Sequence, residues 1–198
     1  RNEVETGFQS TLGAHDEAVC SLRYLPGTGQ VVSGSWDKTV KLWDTRVDTH
    51  LIQSVDQPER VYSMDAAGNR VIVAHAGGSI LVYDVRNWSA PEQTRPSPLK
   101  SQTRAVRCFT DGSGFALSSV DGRVGIEYLD LDAATQKKKF VFKCHRRKVA
   151  EVEHVYPVNA LAFHPVYGTF ATGGCDGYVC TWDAVNKRRV WQFHPYHT

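Results

Sequence analysis

Residues 31–44 read VVSGSWDKTVKLWD: two short apolar runs joined by a polar turn and closed by Trp-Asp. In Val40-Lys41-Leu42-Trp43 bulky residues alternate with lysine, the period-two pattern of a half-buried strand. The design returns in residues 170–183, FATGGCDGYVCTWD. Laying 15–44 on 154–183 needs no gap. It pairs His15 with His154, Val19 with Val158, Leu22 with Leu161, Gly34 with Gly173, Asp37 with Asp176, Trp43 with Trp182 and Asp44 with Asp183. Matches at one constant offset, falling on turn residues and strand centres, mark an internal repeat.

Two weaker copies lie between. The second has strand patterns at 60–65, 70–74 and 80–84, with Gln57 in the histidine's place, Gly77 in the turn aspartate's and Tyr83-Asp84 for Trp-Asp. Residues 86–99, rich in Pro and Ser, read as a loop too polar for core. The third has strands at 105–109, 115–119 and 123–129, turns at Asp111-Gly112 and Asp121-Gly122, Gln102 in the histidine's place and Glu127-Tyr128 for Trp-Asp. An insertion carrying 137–148 follows it. The spacing resembles the WD repeat, in which each unit supplies a four-stranded blade. The predicted fold is all-β: a WD-repeat β-propeller with repeats at 13–55, 56–98, 99–145 and 146–198, residues 1–10 forming the outer strand of a preceding blade. Such propellers commonly close with about seven blades, and four leave two open sheet edges. The chain is therefore expected to be an internal piece of a seven-bladed ring, with no cofactor.

The recurring polar residues predict two hydrogen-bonded tetrads, His15/Ser33/Asp37/Trp43 and His154/Thr172/Asp176/Trp182. Their recurrence with the repeat makes them structural rather than metal ligands. There is no P-loop, HExxH, nucleophile elbow or paired Cys/His spacing, so no metal and no catalysis are expected. The five cysteines show no CxxC spacing and fall mostly in strand-like runs, which suits a reducing, intracellular compartment. No apolar run is long enough to span a bilayer and no signal peptide is recognised.

Net charge is only +2, but residues 137–148, KKKFVFKCHRRK, hold seven Lys/Arg in twelve. Phe140, Phe142 and Cys144 fall on one face of this strand, Lys139, Val141 and Lys143 on the other. Beyond a solvated outer strand, the run suits nucleic-acid phosphates or a single phosphopeptide dianion. Arg104 and Arg107 open the third repeat's first strand and suit either strand-end solubility or binding.

More than a generic propeller is present. QPERVYSM, QTRAVRC, DGRVGIEYLD and KKKFVFKCHRR resemble the spindle-assembly-checkpoint WD protein of the budding-uninhibited-by-benzimidazoles family over nearly the whole chain. FKCHR and AFHPVYGT also resemble a sister family, the WD-repeat messenger-RNA export factor. The first resemblance implies a non-enzymatic adaptor of the nucleus and mitotic kinetochore. It would bind GLEBS motifs of checkpoint kinases and pseudokinases, and MELT motifs of the kinetochore scaffold once their threonine is phosphorylated. It assigns Arg104 to a GLEBS glutamate, and Arg123 and Lys143 to the phosphothreonine. The second implies an export and nuclear-pore adaptor whose basic run touches nucleic acid. Neither involves a membrane.

Overall fold

A computed structural model describes residue 7 and residues 11–196, so most of the strand expected over residues 1–10 lies outside the described residues. Four antiparallel four-stranded sheets follow one another along the chain. The first holds β1 (Val19–Leu25), β2 (Gln30–Ser35), β3 (Thr39–Trp43) and β4 (Leu51–Asp56). The second holds β5 (Val61–Ala67), β6 (Arg70–His75), β7 (Ser79–Asp84) and β8 (Gln93–Pro96). The third holds β9 (Thr103–Cys108), β10 (Gly114–Ser119), β11 (Arg123–Tyr128) and β12 (Phe140–Lys143). A separate hairpin, β13 (Arg146–Val149) and β14 (Val152–Val155), precedes the last sheet. That sheet holds β15 (Val158–Phe163), β16 (Thr169–Gly174), β17 (Val179–Asp183) and β18 (Arg188–Gln192). In every sheet the strands pair in chain order, the meander of a propeller blade.

Three apolar layers hold the four blades together, one per junction. Val40 and Leu42 meet Val71 and Val73 between the first two. Ile72, Ile80 and Val82 meet Phe115 and Leu117 between the second and third. Val124, Ile126 and Cys144 meet Val158, Leu161 and Phe170 between the third and fourth, with Phe140, Phe142 and Trp182 at the margin. The alternation along β12 thus places its aromatic residues in the junction and Val141 and Lys143 outside. Leu22 and Tyr24 on β1 and Trp191 on β18 remain exposed, on the flanking sheets that have a blade on only one side.

Polar groups of the two inner strands of the blades stitch the same junctions. Ser21 Oγ donates to the Met64 carbonyl at 3.1 Å, Ser63 Oγ accepts from Val106 N at 3.0 Å, and Ser118 Oγ donates to the Val158 carbonyl at 2.8 Å. Asp65 takes Arg23 Nε at 2.6 Å and Cys108 N at 2.7 Å, so one carboxylate serves three blades.

Residues 86–99 depart from the expected loop. They contain β8, the second blade's outer strand, and they bury Trp88 and Leu99. An outermost strand needs the backbone ladder more than an apolar face, so its polar sequence hid it. Trp88 stacks on Tyr83 with ring centroids 5.4 Å apart.

Candidate binding rim

Because the strands alternate in direction, the starts of β9 and β11 and the ends of β10 and β12 meet at one end of the third blade. Thr103 pairs with Ser119, and Arg123 pairs with Lys143. Arg104, Arg123 and Lys143 therefore share one rim, and the β13–β14 hairpin continues from it with Arg146, Arg147 and Lys148. Arg104 is on the innermost strand and Lys143 on the outermost. Three strand spacings separate them, roughly 14 Å, and two separate Arg104 from Arg123, roughly 10 Å.

Arg123 and Lys143 are direct cross-strand partners, and such pairs rise on one face of the sheet. The neighbouring pair, Val124 and Phe142, turns into the core and fixes the two cations on the opposite face. Gly122 sets up the turn before Arg123. It has φ +63°, and a Cβ there would lie 2.6 Å from the Cys144 carbonyl, so only glycine lets β11 start this close to the chain leaving β12.

Counter-charges are distributed unevenly. Arg123 Nη1 donates to Asp121 Oδ2. Arg146 is held by Glu153 at 2.9 Å and by the Asp121 carbonyl at 2.7 Å, and Lys148 by Glu151 at 2.6 Å. Arg104 Nε donates to Asn159 Oδ1 at 2.9 Å. Among the described residues Arg104, Lys143 and Arg147 have no carboxylate partner. Burial works against ionisation of Asp121, but the Ser119 hydroxyl and the Arg123 guanidinium hold its carboxyl below the usual range. The rim thus offers a fork-shaped guanidinium and a point-charge ammonium side by side, a pairing that suits a phosphate.

Below the rim of the first blade, His15 Nδ1 lies 2.8 Å from Asp37 Oδ2 and Nε2 2.7 Å from Ser33 Oγ, which accepts from Trp43 Nε1 at 2.7 Å. In the fourth blade the histidine is His145, not His154. His145 Nδ1 is 2.8 Å from Asp176 Oδ1, Nε2 is 2.7 Å from Thr172 Oγ1, and Trp182 Nε1 completes the chain at 2.9 Å. His154 lies exposed on β14, opposite Arg147. The hairpin enters between the histidine and the first strand of its blade and carries a second histidine to the matching offset.

The second blade rebuilds the network from other residues. His75 Nε2 is 2.9 Å from Gln57 Oε1, and Gln57 Nε2 is 3.1 Å from the Tyr83 hydroxyl. In the third blade Gln102 is exposed and does not stand in the histidine's place. Leu99 precedes Thr103 by the interval that separates His15 from Val19 and Gln57 from Val61, and it is buried and apolar.

Among the described residues no cluster of three His, Cys, Asp or Glu side chains could hold a metal ion, and no helix is long and apolar enough to cross a membrane.

Comparison with known proteins agrees with this architecture. The family model "WD domain, G-beta repeat" matches residues 7–44 and 137–183. Mitotic checkpoint protein BUB3.1 of Arabidopsis thaliana is 54% identical over 97% of this chain and 58% of its own length. Mitotic checkpoint protein bub-3 of Caenorhabditis elegans is 44% identical over 99% and 58%. A Poly(A)+ RNA export protein of Schizosaccharomyces pombe is 41% identical over 95% and 53%. A chain in a crystal structure of the mitotic checkpoint complex superposes with TM-score 0.79 at 21% identity, over 97% of this chain and 56% of that one, a likeness of fold. The chain spans little more than half the length of these relatives. Its fold is that of WD-repeat β-propeller blades, and its sequence is similar to the Bub3 mitotic checkpoint proteins along nearly all of its own length.

Proposed function

We propose that this protein is a non-enzymatic mitotic checkpoint adaptor, acting in the nucleus and at kinetochores, that holds two peptides on one end of its propeller. A GLEBS-type motif of a checkpoint kinase or pseudokinase takes Arg104. A MELT-type segment of the kinetochore scaffold, phosphorylated on threonine, takes Arg123 and Lys143. The observation that carries the reading is the cross-strand pairing of Arg123 with Lys143 on an exposed rim. Each charge-assisted hydrogen bond to a phosphate contributes about 1.5–3 kcal/mol, enough to make binding depend on phosphorylation. The names of the checkpoint relatives support the same reading.

Calorimetric titration with a MELT peptide, with and without phosphate on its threonine, tests it. The phosphopeptide is expected to bind at least tenfold more tightly, and Arg123→Ala with Lys143→Ala to abolish that difference. Equal binding of the two peptides by the unaltered protein would sink the assignment.

The similarity to an RNA export protein, together with rim cations lacking carboxylate partners, favours a second reading: an export adaptor touching nucleic acid. Salt separates the two. Contacts to several nucleic-acid phosphates lose affinity steeply as salt rises, whereas a single-phosphate site loses little.

A further inference from the structure

The third blade lacks a tetrad, and that lack shapes the phosphate site. Asp37 and Asp176 occupy the turn between the second and third strands of their blades, and each is taken by a histidine. Asp121 stands in the same turn of the third blade, between Ser119 and Arg123, as Asp37 stands between Ser35 and Thr39. The residue that would reach it is Leu99, which cannot donate a hydrogen bond. The carboxylate is therefore free for another partner. It accepts from the Ser119 hydroxyl at 2.5 Å on one oxygen and from the Arg123 guanidinium on the other. Ser119 is fully buried, so the carboxylate is anchored from beneath and Arg123 is anchored to it.

Two consequences follow for a ligand. Arg123 is held by its ion pair at the start of β11, so less of its rotamer freedom is lost when an anion arrives. Asp121 also offsets one of the two positive charges, leaving Arg123, Lys143 and Asp121 at a net charge of one. A singly charged carboxylate must compete with Asp121 for the same guanidinium and gains little. A phosphate, with a charge near −2 and three acceptor oxygens, can engage Lys143 and the free edge of Arg123 together.

We propose that Asp121 is the specificity-determining residue of the rim, admitting a dianionic phosphate and rejecting a carboxylate. This rests on the phosphothreonine reading above and assigns that site its selectivity.

The test compares three MELT peptides, carrying threonine, phosphothreonine or glutamate at the same position, on the unaltered protein and on Asp121→Asn. Asp121→Ser, which can still cap the turn, serves as a second variant, and thermal unfolding verifies that each is folded. The unaltered protein is expected to bind the phosphopeptide and to bind the glutamate peptide scarcely better than the threonine one. Both variants are expected to tighten the glutamate peptide, so that the phosphate-to-glutamate affinity ratio falls about tenfold, a change of the size a near-surface charge produces. An unchanged ratio, or equal weakening of both anionic peptides, with phosphate dependence intact overturns the role of Asp121 alone. Failure of the unaltered protein to distinguish phosphothreonine from threonine overturns the site and this inference together.

Discussion

Arg95 lies on the outermost strand of the second blade, yet its guanidinium is nearly buried against Glu127 of the third, with Nη1 3.3 Å from Oε2. The same side chain donates to the carbonyls of Tyr128 at 2.8 Å and Leu129 at 3.1 Å. Side-chain exposures of 11% and 9% leave the two charges little access to water. Lys139, 3.5 Å from the same carboxylate oxygen, is the only other cation paired with Glu127 among the described residues.

Removing Arg95 alone strands a buried carboxylate, and breaking such pairs costs about 3–5 kcal/mol. The partial cover from Lys139 places Arg95→Ala at the lower end, about 3 kcal/mol. Arg95→Met combined with Glu127→Gln, which removes both charges, is expected to recover more than half of that loss. Urea unfolding of the two variants checks this; equal destabilisation would show that the ion pair is not what joins these blades.

The fourth blade's histidine gives a sharper contrast. The His145 side chain is fully buried between Asp176 and Thr172, and its removal leaves both without their partner and opens a cavity. His145→Ala is expected to lower stability by about 3 kcal/mol, whereas His154→Ala, on an exposed strand, stays within about 0.5 kcal/mol. Comparable losses in the two variants would mean that the hairpin is as integral to the core as the tetrad.

That pair also shows where the chain could be read and where it could not. His15, Asp37 and Trp43 follow from spacing because turn and strand lengths repeat. His154 misleads because an ungapped comparison is blind to a hairpin entering between the histidine and the first strand, when that hairpin holds a histidine at the matching offset. The outward face of Lys143 was legible from the alternation around Phe140 and Phe142. Arg95 with Glu127, and His75 with Gln57, were not: those contacts depend on which blades pack together and follow no period. The freeing of Asp121 by Leu99 needed the strand boundaries before the interval could be measured.

His75 predicts a dependence on pH. Burial lowers its pKa from 6.5 to about 4, while its Nε2–H donates to Gln57 Oε1. With the folded value below the unfolded one, the unfolded chain binds the extra proton between those limits. Stability from this group is complete above pH 6.5 and is lost as pH falls towards 4, by about 3 kcal/mol in all. His75→Gln cannot titrate, so its stability is expected to be flatter than that of the unaltered protein between pH 6.5 and 4.5. Parallel curves for the two proteins, from urea unfolding at several pH values, would exclude His75 as the source.

The separation of Arg104 from the Arg123–Lys143 pair makes the proposed peptide sites independent. Arg104 is exposed on the innermost strand and bonded to Asn159, so Arg104→Ala removes a cation without disturbing a buried group. It is expected to weaken a GLEBS peptide at least tenfold, the loss of one charge-assisted hydrogen bond, and to leave the phosphopeptide within twofold. Arg123→Ala with Lys143→Ala should give the reverse pattern. Arg104 is two strand spacings, roughly 10 Å, from Arg123 and three, roughly 14 Å, from Lys143, both beyond a Debye length of about 8 Å at physiological salt, so coupling between them through solvent is weakened. Titrating each variant with both peptides tests the division of labour. If Arg104→Ala weakened both peptides alike, the rim would be one continuous site, and the two-peptide arrangement would have to be abandoned.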